Sequence, residues 1–375
     1  MTNETRPGQS TGGGSRPEHS VGRIFAIVLP VAVVGVIAYW WTSTLESKAR
    51  SELASNVVGK MFVSEPMPSK SSMQFADADN DLVADAPTDP AKLQKPEELV
   101  FSYVATEEDA IPDDRWKELA AAIEAKTGKK VKIAHYTKVE DQMDDLAKGK
   151  LQIVGLNTGL VPSAVEHQGF VPVCTLGKAD GSFGYTMELL VPAGSAIKDP
   201  SQVKGHKVTF TRPDSNSGCK APLVLLKNDY NLLPERDYQW GFSLGHEDSI
   251  KHVAKKDLEV VAVASDILAR MIENKEVDPA AVVSIYKSER FPPATIGYAY
   301  NLSPELRDGI RETLLKFDWK GTGLEKQFGP AGQEKFVPVS YKDDWANTRR
   351  IDQAIAEARK GSTSSSNTAA PGKGT

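Results

Sequence analysis

Apolar and polar positions alternate along the middle of the chain with two periods, and the period changes every ten to fifteen residues or so. LVFSYV, starting at Leu99, reads as a strand. It is followed by DDRWKELAAAIEAKTGKK, whose apolar positions recur at helical spacing between an Asp start and a Gly-Lys stop. VKIAHY returns to a strand, VEDQMDDLAKG is helical, and LQIVGL is a strand again. FVPVCTL, YTMELLVPA and VKGHKVTF read as strands, LEVVAVAS, ILARMIENKE, VVSIYKS and ATIGYAYNL continue the pattern, and PELRDGIRETLLKF is a well-capped helix. Repeated βα units predict an α/β fold of parallel sheets with helices on both faces, and ligands then sit beyond the carboxyl ends of strands. No short-period repeat is visible, which excludes a solenoid.

The margins follow other patterns. Residues 1–23 are rich in Gly, Ser, Thr and Pro and are expected to be disordered. From Ile24 to Trp41, IFAIVLPVAVVGVIAYWW holds no charge; at 1.5 Å per residue it reaches about 27 Å, close to the ~30 Å of a hydrocarbon core. Tyr39, Trp40 and Trp41 stand where an interfacial aromatic belt would. A transmembrane anchor is favoured over a cleaved signal, because AYWWTSTL lacks a small-x-small cleavage site. Residues 42–98 read as a polar spacer, 99–350 as the folded part, and 351–375 as a helix end followed by a low-complexity tail.

Composition narrows the function classes. The 375 residues carry a net charge of -5, with 40% hydrophobic and 25% charged residues. No basic run or basic-aromatic alternation is present that could neutralise a phosphate backbone, which argues against nucleic acid. Cys174 and Cys219 match no zinc or redox spacing and are expected as separate buried thiols, with a disulfide between them as the alternative.

The stretch most suggestive of chemistry is TRPDSNSGCKA, between the strand KVTF and the helix PLVLLKNDY. Ser215, Asn216, Ser217 and Gly218 stand where a helix's unpaired N–H groups begin. They admit two readings, a plain helix cap or a cradle for an anion. Charge-assisted hydrogen bonds contribute about 1.5–3 kcal/mol each, so such donors can hold a tetrahedral oxyanion without a lysine. Further polar junctions close strands elsewhere: Asn157 and Thr158 in GLNTG, His246 in LGHEDSI, and Ser265 with Asp266 in VASDIL. Beside a dianion the imidazolium of His246 would be favoured, so binding is expected to vary with pH near neutrality.

Two further patterns are weighed and set aside. DADNDLVAD places Asp77, Asp79, Asp81 and Asp85 at spacings that suit Ca²⁺, but Leu82 stands at the glycine position and Thr88 at the closing glutamate. A solvated acidic linker is the preferred reading, and no metal or other cofactor is expected. Ser217, His246 and Asp266 can be cast as a nucleophilic triad, yet G-x-S-x-G, Walker A and G-x-G-x-x-G are all missing, so no enzymatic activity is expected.

Taken in order, LVFSYVATEED, HYTKVEDQMDDLAKGKLQIVGLNTG, DGSFGYTMELLVPAGSAIKDPSQVKGHKVTFTRPDSNSG, GHEDSIKHVA, ASDILARM and IYKSERFPP resemble the phosphate/phosphite/phosphonate-binding proteins of ABC importers, the PhnD-type periplasmic receptors. The resemblance covers about Leu99 to Arg350. It implies a two-lobed α/β receptor of the type II periplasmic-binding-protein fold with a hinge, here joined to an N-terminal transmembrane helix. One lobe would hold 99–194 and 283–350, the other 195–282. It further implies a ligand site of Ser215, Asn216, Ser217 and His246 on one lobe facing Tyr136, Asn157 and Thr158 on the other, with Tyr185 and Asp266. Asn216 replaces the family's usual Thr, and Ala294 replaces an aspartate in FPPAT, which tilts the expected ligand from aminoalkyl phosphonates toward phosphate, phosphite or a simple phosphonate. The implied role is extracytoplasmic capture of the oxyanion and delivery to an ABC permease. The alternative is an oxyanion sensor signalling through a membrane partner.

Overall fold

The computed structural model describes residues 75–104, 113–243 and 245–366. The segment 24–41, read as a membrane anchor, lies outside them, and no helix among the described residues is long and apolar enough to cross a membrane. Two separate sheets organise the chain. The first contains β1 (Glu98–Ser102), β2 (Lys130–Ile133), β3 (Ile153–Leu156), β4 (Phe170–Gly177), β10 (Thr295–Ala299) and β11 (Lys335–Pro338), in the order β11-β4-β10-β3-β1-β2. The second contains β5 (Tyr185–Pro192), β6 (Lys207–Phe210), β7 (Gln239–Phe242), β8 (Val260–Ala264) and β9 (Val282–Phe291), in the order β7-β6-β8-β5-β9.

Neither sheet is purely parallel, contrary to the expectation from βα alternation. In the first, β10 runs antiparallel to both β3 and β4; in the second, β5 runs antiparallel to both β8 and β9. Each of these strands is the first the chain enters on passing from one sheet to the other. Each lies between two strands of like direction joined by a helical crossover, β3 and β4 around β10, β8 and β9 around β5. The most enclosed strands are near-continuous apolar runs: β8 (VVAVA) and β10 (TIGYA) are buried at every position.

Lobe boundaries therefore move. Both β5 and β9 belong wholly to the second sheet, so the chain crosses at 178–184 and 292–294, not at the expected 194/195 and 282/283. β5 and β9 form an antiparallel pair running from Tyr185↔Phe291 to Pro192↔Val282. The C-terminal helix Ala346–Ser366 follows Trp345 of the first core and buries Ile351 and Ile355 in the second. The spacer also ends earlier than expected. Phe75 packs on Tyr300 with ring centroids 4.6 Å apart, Val83 and Ala84 are buried, and Gln94 N–H donates to Asn301 O at 2.7 Å.

Cys174 and Cys219 are free and buried, one in β4 and the other beside the second sheet. Burial pushes both thiols up, as for inert core cysteines.

Close approach of backbone and ring constrains β10. A Cβ added at Gly297 would run into Val171 O and lie 2.7 Å from the Phe170 ring. Gly297→Ala is expected to destabilise the protein by about 1–3 kcal/mol, read as a lowered urea midpoint with an unchanged slope.

Candidate functional site

The carboxyl ends of β1, β3, β6 and β8 deliver their following residues to one cavity of about 300 Å³ between the sheets. Of the candidate residues, Asn157, Thr158, Tyr185, Ser215, Asn216, Ser217, His246 and Asp266 line it; Tyr136 does not.

Of the two readings of the Ser-Asn-Ser stretch, the helix cap is realised by Ser215. Ser215 is a true cap: its backbone is extended and its Oγ accepts from Gly218 N–H at 3.0 Å. Asn216–Lys220 then form a widened π-turn that runs into the helix Ala221–Asn228. Gly218 has no alternative there, since a Cβ would collide with Thr211 Oγ1 and sit 2.9 Å from Ser215 Oγ. The turn buries Asn216 and Ser217 to 2% and 1% exposure, and neither polar end of the Asn216 amide has a hydrogen-bond partner. Leaving such groups unpaired costs about 1–3 kcal/mol each, a cost that a bound guest would remove.

His246 opens the helix His246–Ala254 and lines the same wall. Its Nδ1 accepts from Ala264 N–H at 3.1 Å, while Nε2 lies 3.3 Å from Ser215 Oγ. An imidazole that accepts at Nδ1 carries its proton on Nε2, so this histidine is neutral and aims a donor at the cradle. Burial pushes its pKa down to about 4; Asp214 opposes that shift and Arg212 reinforces it. In this geometry the imidazolium is disfavoured near neutrality, because a proton on Nδ1 would set two N–H groups facing each other.

Asn157, Thr158 and Tyr185 spend their polar groups on joining the sheets. Asn157 Nδ2 donates to Asp214 Oδ2 at 2.7 Å, and its Oδ1 accepts from Leu160 N–H at 3.1 Å. Thr158 Oγ1 donates to Pro292 O at 2.6 Å and accepts from the Tyr185 hydroxyl at 3.1 Å. Gly159 permits this approach, since a Cβ there would clash with Asp214 O and lie 2.9 Å from Asn216 N. Asp214 is also held by Arg212, through Nε and Nη2, both at 3.0 Å.

Tyr136 follows β2, the edge strand of its sheet, and so ends up away from the cavity. Its hydroxyl donates to Asp145 Oδ2 at 2.8 Å; burial, with the bond to that carboxylate next, pushes its pKa up to about 12. An aromatic that reaches the cavity in its stead is Tyr103, just beyond the interior strand β1, its ring tilted against Trp116 with centroids 4.5 Å apart. Gly155 makes room for its ring. A tyrosine at the carboxyl end of the first strand was a signal available in LVFSYV. Gln327, Phe328 and Gln333, which close the cavity from the first lobe, carried none.

Asp266 lines the cavity with one carboxylate oxygen accepting from Ile267 N–H at 3.0 Å. Burial raises its pKa, against the lowering effects of backbone N–H groups and Arg270. Arg270 also lines the cavity and is paired through Nη2 with Glu247 Oε1. Ala294 stands in the wall without an acidic group, its carbonyl accepting from Thr175 Oγ1 at 3.0 Å.

The acidic loop lies elsewhere. Oxygens of Asp77, Asp79 and Asp81 come within 4.8 Å of one another, while Asp85 Oδ2 accepts from Ala78 N–H at 2.7 Å. Asp77 also accepts from Asp81 and Leu82 N–H. None of these carboxylates lines the cavity.

With this geometry established, comparison with known proteins is direct. The family described as ABC transporter, phosphonate, periplasmic substrate-binding protein matches residues 101–345. The chain belongs to this family. The phosphonates-binding periplasmic protein of Escherichia coli (strain K12) is 24% identical over 235 residues, covering 61% of this chain and 69% of that protein. Among solved structures, PhnD1 from Prochlorococcus marinus in complex with methylphosphonate matches with a TM-score of 0.58 at 13% identity, covering 70% of this chain and 99% of that one. A binding protein component of an ABC phosphonate transporter from Pseudomonas aeruginosa matches with a TM-score of 0.56 at 16% identity, covering 72% and 100%. At these identities the structural likeness establishes the two-sheet fold. Membership of a periplasmic substrate-binding family makes this phosphonate-transporter receptor an extracytoplasmic transport protein and not an enzyme.

The depressed histidine has a consequence for this binding protein's stability. A lowered folded pKa means that the unfolded chain takes up a proton first, so stability present above about pH 6.5 is lost as pH falls toward 4. Chemical denaturation at pH 7 and pH 4.5 should show the parent losing on the order of 1–3 kcal/mol more than His246→Gln.

Proposed function

We propose that this phosphonate-family binding protein captures a small phosphorus oxyanion, phosphate, phosphite or a simple phosphonate, by closing its two lobes about the crossings at 178–184 and 292–294. The observation that carries the reading is the buried, unpaired amide of Asn216, flanked by Ser215, Ser217 and the Nε2 proton of His246 in one cavity. These neutral donors replace the guest's hydration shell, and their pull strengthens as water leaves. Asn157, Thr158 and Tyr185 join the lobes behind the cradle, while Tyr103 and Phe328 form its far wall. Ala294, without a carboxylate, favours ligands that lack a distal amine.

The closed protein then delivers its cargo to an ABC permease, with residues 24–41 tethering it to the membrane. Fractionation of cells expressing the full chain should find it with membranes, and deletion of 1–41 should release it.

Calorimetry of the full chain against phosphate, phosphite, methylphosphonate, aminoethylphosphonate and sulfate tests the ligand class. Ser217→Ala and His246→Ala should each weaken the best ligand at least about tenfold, the loss of one charge-assisted hydrogen bond. Tyr136→Phe should leave affinity unchanged, because its hydroxyl is spent on Asp145. Parent-like binding by both cradle variants would refute the assignment.

A further inference from the structure

We infer that the cavity has a second polar pole, built by Arg270 of the second lobe with Gln327 and Gln333 of the first, and that its guest is a phosphonate whose carbon chain ends in a carboxylate. The inference rests on the functional reading above and extends it from the oxyanion to the group that phosphorus carries.

Volume is the first observation. A water molecule's share of the liquid is about 30 Å³, so a cavity of about 300 Å³ has room for about ten. A phosphonate headgroup with one methyl displaces about half of them. The rest of the lining comes from the helix Ser265–Glu273 and from residues 327–333, against which that helix packs. Asp266 starts the helix beside Ala264, the partner of His246. Arg270 follows on the same face, about 6 Å further along the axis. Tyr103 and Phe328 line the cavity edge to face, with ring centroids 6.2 Å apart.

Polar groups at the Arg270 end are not spent on the protein. Gln333 is only 9% exposed, its backbone N–H donating to Phe328 O at 3.2 Å, yet its side-chain amide has no hydrogen-bond partner among the described residues. The Gln327 amide is likewise unengaged among them. Arg270 gives Nη2 to Glu247 Oε1, which leaves the Nε and Nη1 hydrogens for a guest. Glu247 does not line the cavity, so it holds the guanidinium from outside.

The charge of these groups selects the substituent. A guanidinium with free N–H groups binds a carboxylate through charge-assisted hydrogen bonds and repels an ammonium, and the two amides add N–H donors beside it. Asp266 is the acid that could hold an ammonium instead. One of its oxygens already accepts from Ile267 N–H, and burial raises it toward the neutral form, which can itself donate to a carboxylate.

The test is calorimetry of the full chain at neutral pH with methylphosphonate, phosphonopropionate bearing its carboxylate on the terminal carbon, and aminoethylphosphonate. The last two match in carbon spacing and differ in terminal charge. Phosphonopropionate should bind at least about tenfold tighter than aminoethylphosphonate, the effect of one charge-assisted hydrogen bond, and at least about threefold tighter than methylphosphonate. Arg270→Gln should shrink the first ratio to about threefold or less. Glu247→Gln, which releases the guanidinium, should widen it, a direction that loss of structure does not produce. Should Arg270→Gln fail to fold, Gln333→Leu, which removes the amide at similar volume, should narrow both ratios in its place. Phosphonopropionate binding no tighter than either comparison ligand overturns the inference, and ratios unchanged in both Arg270→Gln and Glu247→Gln overturn the role of Arg270. In those cases heat with methylphosphonate leaves the functional reading standing, whereas absence of heat with every phosphorus compound removes that reading itself.

Discussion

Thr158 is the point at which the two halves of the protein are tied, and the geometry of the cavity depends on that tie. Its hydroxyl donates to Pro292 O at one crossing and accepts from Tyr185 at the start of β5, and its carbonyl accepts from Trp345 Nε1 at 3.3 Å. At 4% exposure it is shielded from water, which would otherwise compete for each of these bonds. Asn157–Asp214 and Lys220–Gly159 add two more links within the same short stretch. Because GLNTG lies at the end of an interior strand of the first sheet, these bonds bring the Ser215–Ser217 turn of the second sheet over it. Glycines at 155 and 159 admit, respectively, the Tyr103 ring and the Asp214–Asn216 backbone.

With the polar groups of Asn157, Thr158 and Tyr185 committed to that junction, the second lobe presents a set of neutral dipoles to the cavity beside Asp266 and Arg270. The Ala264 N–H sets the tautomer of His246, Ser215 caps the turn, and the turn places Asn216 and Ser217 against the cavity. Arg270 of the wall is paired with Glu247, and Arg212 and Lys220 are held by Asp214 and Asp352.

The C-terminal helix adds a third connection between the lobes. Trp345 belongs to the first core, Ile351 and Ile355 to the second, and Asp352 between them receives Lys220 from the end of the π-turn. Any relative movement of the two sheets would have to carry this helix along or break its contacts. The same helix touches the turn that bears Asn216 through the Lys220–Asp352 pair.

Local chemistry made much of this legible from the chain alone. Strand and helix periods, the DSNSG stretch and the polar residues closing β3, β6 and β8 are properties of neighbours in sequence, and the cavity collects nearly all of the residues they marked. The antiparallel insertion of β5 and β10, the exclusion of Tyr136 in favour of Tyr103, and the commitment of Asn157 and Thr158 to the lobe junction were beyond its reach. Each depends on partners far along the chain: Tyr185 with Phe291, Thr158 with Pro292, Asn157 with Asp214. A pattern of apolar and polar positions specifies which residues end a strand. Only the folded arrangement of those strands decides whether a polar group there is spent on the protein or left for a ligand, because a hydrogen bond is set by distance in space and not by distance along the sequence.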